Sequence, residues 1–238
     1  MLLERIIKEI KAKKELKNLD DGFVKARIKE YAKQNGLSPE GDFEKVKRAK
    51  WFKEMFKCVR KGCRLVYGAF QDVKEQRSRV VYERIFNEVR GDVILDIGCG
   101  NAPLEYCSLY ENKKYYLCEI DCGVITKLSD FMKKNKIKGR AFVFNAVDDN
   151  IERLPKADTV LLLKVLESFE LIKRDISYEI LKKLKCRKIV VSFSKVALGG
   201  GVEIRKAGRA WFRRMLDRLG YKYTIGDIEK EIFFFIDK

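Results

Sequence analysis

Apolar residues recur along the chain with two different periods, and the change between them divides the sequence near Gly91. Before that point the period is helical, because the apolar residues between Leu2 and Ile10 fall at three- and four-residue steps. The same spacing predicts further helices over 22–34, 43–70 and 77–88. The Gly, Pro and Asp breakers within 35–42 predict a loop between the second and third of these helices.

After Gly91, short runs of β-forming apolar residues alternate with helical stretches. The predicted strands cover 93–97, 115–120, 141–146, 158–163, 188–193, 221–226 and 231–236. The predicted helices between them cover 103–111, 124–134, 171–184 and 205–219. This alternation indicates βαβ units and a mainly parallel sheet, and too few residues separate the last two strands for anything but an antiparallel hairpin. We therefore expect an α/β domain over 77–238, preceded by a helical region over 1–76.

The charge balance points to a polyanionic partner. The chain carries 52 basic and 35 acidic residues, a net charge of +17. Charge per residue is highest in the first third, where residues 1–90 hold 24 basic and 14 acidic side chains. Such an excess attracts nucleic acid, although a lysine-rich solvated surface is the alternative. The apolar runs are too short to span a bilayer, and the charged start predicts no secretory signal, so we expect a cytoplasmic protein.

Composition also excludes several kinds of chemistry. The sequence contains no histidine, which removes imidazole bases and imidazole metal ligands. Its seven cysteines form no CxxC pair, and their odd number favours reduced thiols. We therefore expect neither a zinc site nor another metal site.

The strongest local signal is the segment Asp96-Ile97-Gly98-Cys99-Gly100, which ends one predicted strand and precedes a helix. Glycines in such a turn let the backbone approach a ligand closely. Ligands of open α/β sheets bind at the carboxyl ends of the strands. Glu119 follows at the end of the second strand, where a carboxylate can accept hydrogen bonds from ribose hydroxyls.

Two ligand classes use a turn of this kind, and a turn without a ligand is the third interpretation. A dinucleotide site requires GxGxxG, but Pro103 stands where the third glycine would be. The segment instead resembles motif I of the S-adenosylmethionine-dependent methyltransferases, whose ligand carries no phosphate. The terminal hairpin is similar to that fold as well.

Further stretches make the resemblance narrower. Four stretches are similar to the aminoglycoside-resistance 16S rRNA (guanine-N7) methyltransferase family. They are DIGCGNAPL (96–104), CEID (118–121), ADTVLLLKVLESFE (157–170) and VVSFSKVALGGG with AWF beyond it (190–212). The resemblance covers about 79–238 and implies a class I methyltransferase fold with S-adenosylmethionine as cofactor. It departs from the family pattern at Asn145-Ala146, Glu167 and Val196.

Site residues follow from the resemblance. It implies that the cofactor is bound by Arg84, Asp96, Gly98, Cys99, Gly100, Glu119, Ile120, Asn145, Ala146 and Leu163. Arg84 corresponds to an arginine that meets the cofactor carboxylate. Lys164 falls near the methyl-transfer site, and Phe193 either stacks on the target base or packs in the core. Trp211 and Phe212 are expected to anchor the last helix to the sheet.

The sequence also narrows the position that is methylated. Amine methylation commonly uses an Asn/Asp-Pro-Pro-aromatic loop after strand four, and pyrimidine C5 methylation uses a cysteine nucleophile in a Pro-Cys pair; the sequence contains neither. Guanine N7 needs no general base, because its lone pair carries no proton. O-methylation assisted by Lys164 is also compatible with these residues.

RNA binding is expected along the basic helices. The candidate residues are Lys53, Lys57, Arg60, Lys61, Arg64, Lys195, Arg205 and Arg209, with a solvated helix face as the alternative. The preferred function is methylation of small-subunit rRNA. A methyltransferase of another RNA or of a small molecule, or an RNA-binding module without catalysis, are the alternatives.

Overall fold

The computed structural model describes residues 2–37, 43–64, 77–196 and 209–238. It divides the chain into two compact units. The first unit comprises Met1–Lys74 with Ile120–Cys122, and the second comprises Glu75–Glu119 with Gly123–Lys238.

The first unit is helical. Its elements are α1 (Leu2–Lys11), a 3-10 turn (Lys14–Leu16), α2 (Asp21–Gln34), α3 (Phe43–Val46) and α4 (Lys50–Cys63). Asp20 caps α2 by accepting a hydrogen bond of 2.9 Å from the Phe23 amide, which satisfies one of the free N–H groups at the helix start. Ile6, Ile28 and Met55 come from three of these helices and are buried together in the core.

The long helix expected over 43–70 is broken, which corrects the sequence interpretation. α3 ends at Val46 and α4 begins at Lys50, while 65–70 lies outside the described residues. Along one continuous helix, Phe43 and Phe52 would be separated by a rise of about 13.5 Å. Their ring centroids are instead 5.7 Å apart in an edge-to-face contact. The break thus brings the partly exposed ring of Phe43 against the buried ring of Phe52.

The second unit is built on a seven-stranded sheet. Its strands are β1 (Val93–Ile97), β2 (Lys114–Glu119), β3 (Lys138–Val143), β4 (Thr159–Leu163), β5 (Lys188–Ser194), β6 (Lys222–Ile228) and β7 (Glu231–Asp237). Their order is β3-β2-β1-β4-β5-β7-β6. The first five strands pair in parallel, and β7 pairs antiparallel with both β5 and β6. The predicted mainly parallel sheet with a terminal hairpin is confirmed.

Six described helices flank this sheet along the chain. They are α5 (Arg79–Glu88), α6 (Pro103–Leu109), α7 (Cys122–Lys134), α8 (Leu166–Ile172), α9 (Ile176–Lys183) and α10 (Ala210–Leu219). The single helix expected over 171–184 is therefore two helices. The break lies at Asp175, whose φ is +62° and whose amide donates to the Glu170 carboxylate at 2.8 Å. The same carboxylate accepts from the Ser177 amide, so it satisfies two free N–H groups at the start of α9.

The sheet separates two apolar clusters. Along β4, Val160 and Leu162 belong to one cluster, while Leu161 and Leu163 belong to the other. All five residues of β4 are buried, as expected for a central parallel strand that is covered on both faces. Within the described ranges, no helix is long and apolar enough to cross a membrane.

Strand order fixes the place of a ligand site. The chain winds from β1 outward to β3, and then returns to β4 on the other side of β1. The winding therefore reverses between β1 and β4, and open α/β sheets bind ligands at the carboxyl ends of such neighbours. In this molecule those ends lead into Gly98 and Lys164.

Candidate active site

The turn after β1 has the backbone conformation that glycine favours. Gly98 and Gly100 have φ values of +70° and +54°. The Gly98 amide donates to the Cys118 carbonyl at 2.8 Å, which ties the turn to the end of β2. A Cβ on Gly98 would lie 2.7 Å from Val165 Cγ1, whereas a Cβ on Gly100 would meet no atom within 4 Å. The turn is thus closely packed at its first glycine and open at its second.

Asp96 is a buried acid with one unused oxygen. It is 1% exposed, and its Oδ2 accepts a hydrogen bond of 2.7 Å from the Tyr106 hydroxyl. Its Oδ1 has no hydrogen-bond partner among the described residues. Burial raises the pKa of Asp96 to about 7, although the Tyr106 hydrogen bond and the Arg77 charge oppose this shift. The free oxygen can accept a hydrogen bond from a ligand N–H group.

Glu119 lies beside the glycine turn. Its Oε2 accepts a hydrogen bond of 3.1 Å from the Gly100 amide. This bond orients a carboxylate at the end of β2, next to the open side of the turn, which is the arrangement expected for an acid that binds ribose hydroxyls. Ile120, the next residue and another predicted cofactor residue, falls in the first unit with Asp121 and Cys122.

Asn145 shapes the turn that follows β3. Its Oδ1 accepts from the Val147 amide at 3.1 Å, and its Nδ2 donates to the Asp148 carboxylate at 2.7 Å. Both Asn145 and its neighbour Ala146 are buried. The Asn145 backbone amide donates to the Asp149 carboxylate at 2.8 Å, so this turn holds two carboxylates beside Asn145.

A cluster of charged side chains lies at the carboxyl ends of β4 and β5. Lys164 follows β4 with a φ of +61°, and its Nζ lies 3.3 Å from Glu231 Oε1 at the start of β7. Glu231 also accepts from Ser192 Oγ at 2.7 Å and from Arg77 at 2.8 and 3.1 Å. Burial pulls the pKa of Arg77 down, but the charge and hydrogen bonds of Glu231 together outweigh it and leave that pKa raised.

Comparison with known proteins identifies the family. A family model described as ribosomal RNA methyltransferase (FmrO) matches residues 57–236, which is most of the chain. The chain belongs to this family.

A curated relative matches part of the chain. The 16S rRNA (guanine(1405)-N(7))-methyltransferase of Micromonospora echinospora is 26% identical over 121 residues, which are 50% of this chain and 43% of the relative. The match thus spans less than half the length of that relative.

Two of the similar structures are 16S rRNA methyltransferase RmtF in complex with S-adenosyl-L-homocysteine and the 16S rRNA methylase RmtB. For RmtF the TM-score is 0.77 and the sequence identity is 18%, and the match covers 100% of this chain and 98% of the RmtF chain. For RmtB the TM-score is 0.71 and the sequence identity is 17%, and the match covers 99% of this chain and 98% of the RmtB chain. These likenesses establish the class I methyltransferase fold.

Within this FmrO-family fold, the structure places Arg84 away from the carboxyl ends of the strands. Its side chain is 52% exposed, and its Nη2 lies 3.5 Å from Glu88. Its guanidinium lies 5.8 Å from the ring centroid of Phe235, which pairs with the third residue of β5. The arginine that lies at the carboxyl ends is Arg77, which the sequence interpretation missed.

Phe193 is a core residue, which corrects its proposed stacking on a target base. It is fully buried, and its ring centroid lies 5.0 Å from that of Phe212 and 5.8 Å from that of Trp211. Phe212 also contacts Phe234 at 4.9 Å, so the prediction that Trp211 and Phe212 anchor the last helix to the sheet is confirmed.

Two of the basic residues expected to bind RNA are engaged inside the second unit. Arg209 is 5% exposed, and its Nη1 lies 2.9 Å from Glu167 Oε1 while its Nη2 donates to the Ser194 carbonyl at 3.0 Å. Lys195 pairs with Asp227 at 2.5 Å. The Arg209 side chain is thus a buried ion-pair partner in this structure, and Arg205 lies outside the described residues.

Some basic residues at α4 bind groups elsewhere in the first unit, and others have exposed side chains. Arg60 donates to the Glu9 carbonyl, and Arg64 pairs with Glu15 at 2.8 Å. Lys53, Lys57 and Lys61 are exposed at four-residue steps along one side of the helix. The first two of these lysines contribute to a cleft that is lined by Lys13, Lys47, Phe52, Lys53, Phe56, Lys57, Arg60 and Arg64. This cleft combines basic and aromatic side chains within the first unit.

Proposed function

We propose that the protein methylates 16S rRNA at guanine N7 with S-adenosylmethionine as methyl donor. The observation that carries this proposal is the open glycine turn at Gly100, with the Glu119 carboxylate held beside it by the Gly100 amide. It stands at the reversal point of the sheet, in a chain of the ribosomal RNA methyltransferase family.

The residues present fit this cofactor. The glycine turn accommodates the methionine portion, Glu119 accepts from the ribose hydroxyls, and the free Asp96 Oδ1 accepts from the amino group. Cys99, Ile120, Asn145, Ala146 and Leu163 complete the predicted cofactor residues. We assign the cofactor carboxylate to Arg77 rather than Arg84, because only Arg77 lies at the carboxyl ends of the strands.

The chemistry requires alignment and no general base. When bound, the cofactor supplies a methyl group on a sulfonium, which an N7 lone pair can accept directly. Lys164 is held by Glu231, and an ammonium paired with a carboxylate is a hydrogen-bond donor rather than a base. This favours direct transfer to N7 over O-methylation assisted by Lys164. The main source of rate is then the placement of the reacting atoms.

Covalent catalysis by a cysteine finds no support at this site. Cys99 and Cys118 lie next to the glycine turn and are buried. Burial holds the pKa of both thiols well above the ordinary value, so neither forms a nucleophilic thiolate at neutral pH. The pyrimidine C5 reaction, which needs such a thiolate, is therefore disfavoured.

Binding of rRNA is assigned to the exposed lysines of α4, namely Lys53, Lys57 and Lys61. The cleft beside them adds Phe56, whose ring offers an apolar face, and Arg60 covers that ring at 5.0 Å. Folded RNA is recognised chiefly by shape and backbone, and an enzyme that acts on a base turns it out of the stack. We place this activity in the cytoplasm, where small ribosomal subunits are found.

Incubation with methyl-labelled S-adenosylmethionine and small ribosomal subunits tests the proposal. We expect label in 16S rRNA, at a guanine whose glycosidic bond becomes labile and whose strand breaks with aniline, as N7-methylguanosine requires. Label in another RNA would favour the broader methyltransferase interpretation. If calorimetry shows no heat of binding for S-adenosylhomocysteine, only an RNA-binding module remains.

A further inference from the structure

Glu231 gathers side chains from three other parts of the chain. It is 4% exposed, and its carboxylate contacts Arg77 ahead of α5, Lys164 after β4 and Ser192 in β5. A buried carboxylate is costly unless it is paired and hydrogen-bonded. Two hydrogen bonds from Arg77 and one from Ser192 occupy most of the roughly four lone-pair sites of the group, and Lys164 adds an ion pair at 3.3 Å. The orientation of this carboxylate is therefore fixed.

Lys164 is held at both of its ends. Its amide donates to the Ser192 carbonyl at 3.0 Å, and its ammonium contacts Glu231. Its φ of +61° is a conformation that residues other than glycine rarely adopt, and such strain persists only where the surroundings enforce it. The long flexible side chain thus has one fixed place at the end of β4.

The position of Lys164 connects this cluster to the glycine turn. The next residue, Val165, is the one that a side chain on Gly98 would strike. Lys164 and Gly98 therefore belong to adjoining strand ends, and a group that fixes Lys164 acts at the edge of the proposed methyl-transfer site.

We propose that Glu231 is a positioning residue, which sets the Lys164 ammonium and the Arg77 guanidinium for the reaction without contacting the reacting atoms. The inference rests on the proposed function. The contacts support it: one buried carboxylate contacts both cations, so its position sets the position of each. Without Glu231, the two cations would repel each other and lose their shared anchor.

The variant Glu231→Asp separates positioning from neutralisation, because it keeps the charge but shortens the side chain by one methylene. We expect S-adenosylhomocysteine affinity within about tenfold of wild type and a kcat about 100-fold lower, since a displacement of about 1 Å costs that much. Subunit KM should change much less than kcat. Glu111→Asp, the same substitution at an exposed acid after α6, is the matched control and should leave both constants unchanged.

A double-mutant cycle identifies the residue through which Glu231 acts. If Glu231 works through Lys164, kcat of Glu231→Asp combined with Lys164→Met equals that of Lys164→Met alone. Losses that multiply both with Lys164→Met and, in a second cycle, with Arg77→Lys would overturn the inference, as would a Glu231→Asp variant with wild-type kcat. Should wild-type protein bind no S-adenosylhomocysteine, the proposed function falls first and the positioning role with it. Wild-type binding and turnover with an unaffected variant would refute the positioning role alone.

Discussion

Arg77 donates two hydrogen bonds, of 2.8 and 3.1 Å, to Glu231, which lies 154 residues further along the chain. The pair joins the segment ahead of α5 to the first residue of β7. Since both side chains are buried, it acts on stability as well as on the site.

Loss of Arg77 should destabilise the fold and weaken cofactor binding together. Arg77→Ala leaves a buried carboxylate with only Lys164 and Ser192, and we expect a fall of about 3 kcal/mol in the free energy of unfolding, the low end for such pairs. Urea unfolding and calorimetry with S-adenosylhomocysteine measure the two effects. Arg84→Ala, at an exposed position, should change the free energy of unfolding by less than about 0.5 kcal/mol and leave cofactor affinity intact. Weakened binding in Arg84→Ala alone would restore the original sequence interpretation.

The raised pKa of Asp96 predicts a pH-dependent stability. The pKa is about 7 in the folded protein against an ordinary value of 3.8. Between these values the folded state binds more protons than the unfolded state, so the free energy of unfolding falls as pH rises from about 4 to about 7.

Asp96→Asn removes this dependence and provides the measurement. The free energy of unfolding of the variant minus that of wild type should increase by roughly 4 kcal/mol from pH 4 to pH 8, because one pKa unit corresponds to about 1.36 kcal/mol. Urea unfolding at several pH values of both proteins gives the difference, in which the other titrating groups cancel. A constant difference would show that Asp96 keeps an ordinary pKa.

Gly98 and Gly220 provide a matched test of the glycine turn. Both have φ near +70°, so an alanine at either position meets a similar backbone strain of about 1–2 kcal/mol. Only at Gly98 does the new Cβ collide with Val165, while Gly220 has open space within 4 Å. Gly98→Ala should therefore weaken S-adenosylhomocysteine binding and Gly220→Ala should not. Equal affinities in the two variants would move the cofactor away from this turn.

The exposed lysines of α4 should control the salt dependence of RNA binding. Charge reversal at Lys57 and Lys61 removes two phosphate contacts, which lowers the slope of log affinity against log salt by about 1.5. Reversal at Lys133 and Lys134, exposed at the end of α7, is the control for net charge alone. If the two double variants have the same slope, α4 carries no specific phosphate contacts.

Local sequence patterns were sufficient to predict most of the sheet, since the ends of six of the seven strands lie within two residues of their predicted positions. β3 was wrong by three residues, because its first half, Lys138-Gly139-Arg140, is polar and exposed at the sheet edge and so carries no apolar period. The break before α4 was missed for another reason. The break depends on the contact between Phe43 and Phe52, and the spacing of apolar residues along a helix does not reveal such a tertiary contact.

The sequence singles out candidate site residues that belong to one local turn, and it does not reveal contacts between residues that are far apart in the chain. The glycine turn and Glu119 are local signals at strand ends. The choice between Arg77 and Arg84 depends on tertiary contacts. Arg77 contacts Glu231, which pairs with the last residue of β5, whereas Arg84 lies near Phe235, which pairs with the third. Arg209 was expected to bind RNA, and Phe193 was expected either to stack on a base or to pack in the core. Arg209 instead pairs with Glu167 and Phe193 packs against Phe212, and no sequence period reveals these partners.

The place of β7 in the sheet has a consequence for synthesis of the protein. This strand lies between β5 and β6, yet it follows both of them along the chain, and its first residue is Glu231. A nascent chain that still lacks β7 has an uncovered β5 edge and lacks the carboxylate that Arg77 and Lys164 contact. The proposed site is therefore incomplete until β7 has been synthesised and has joined the sheet.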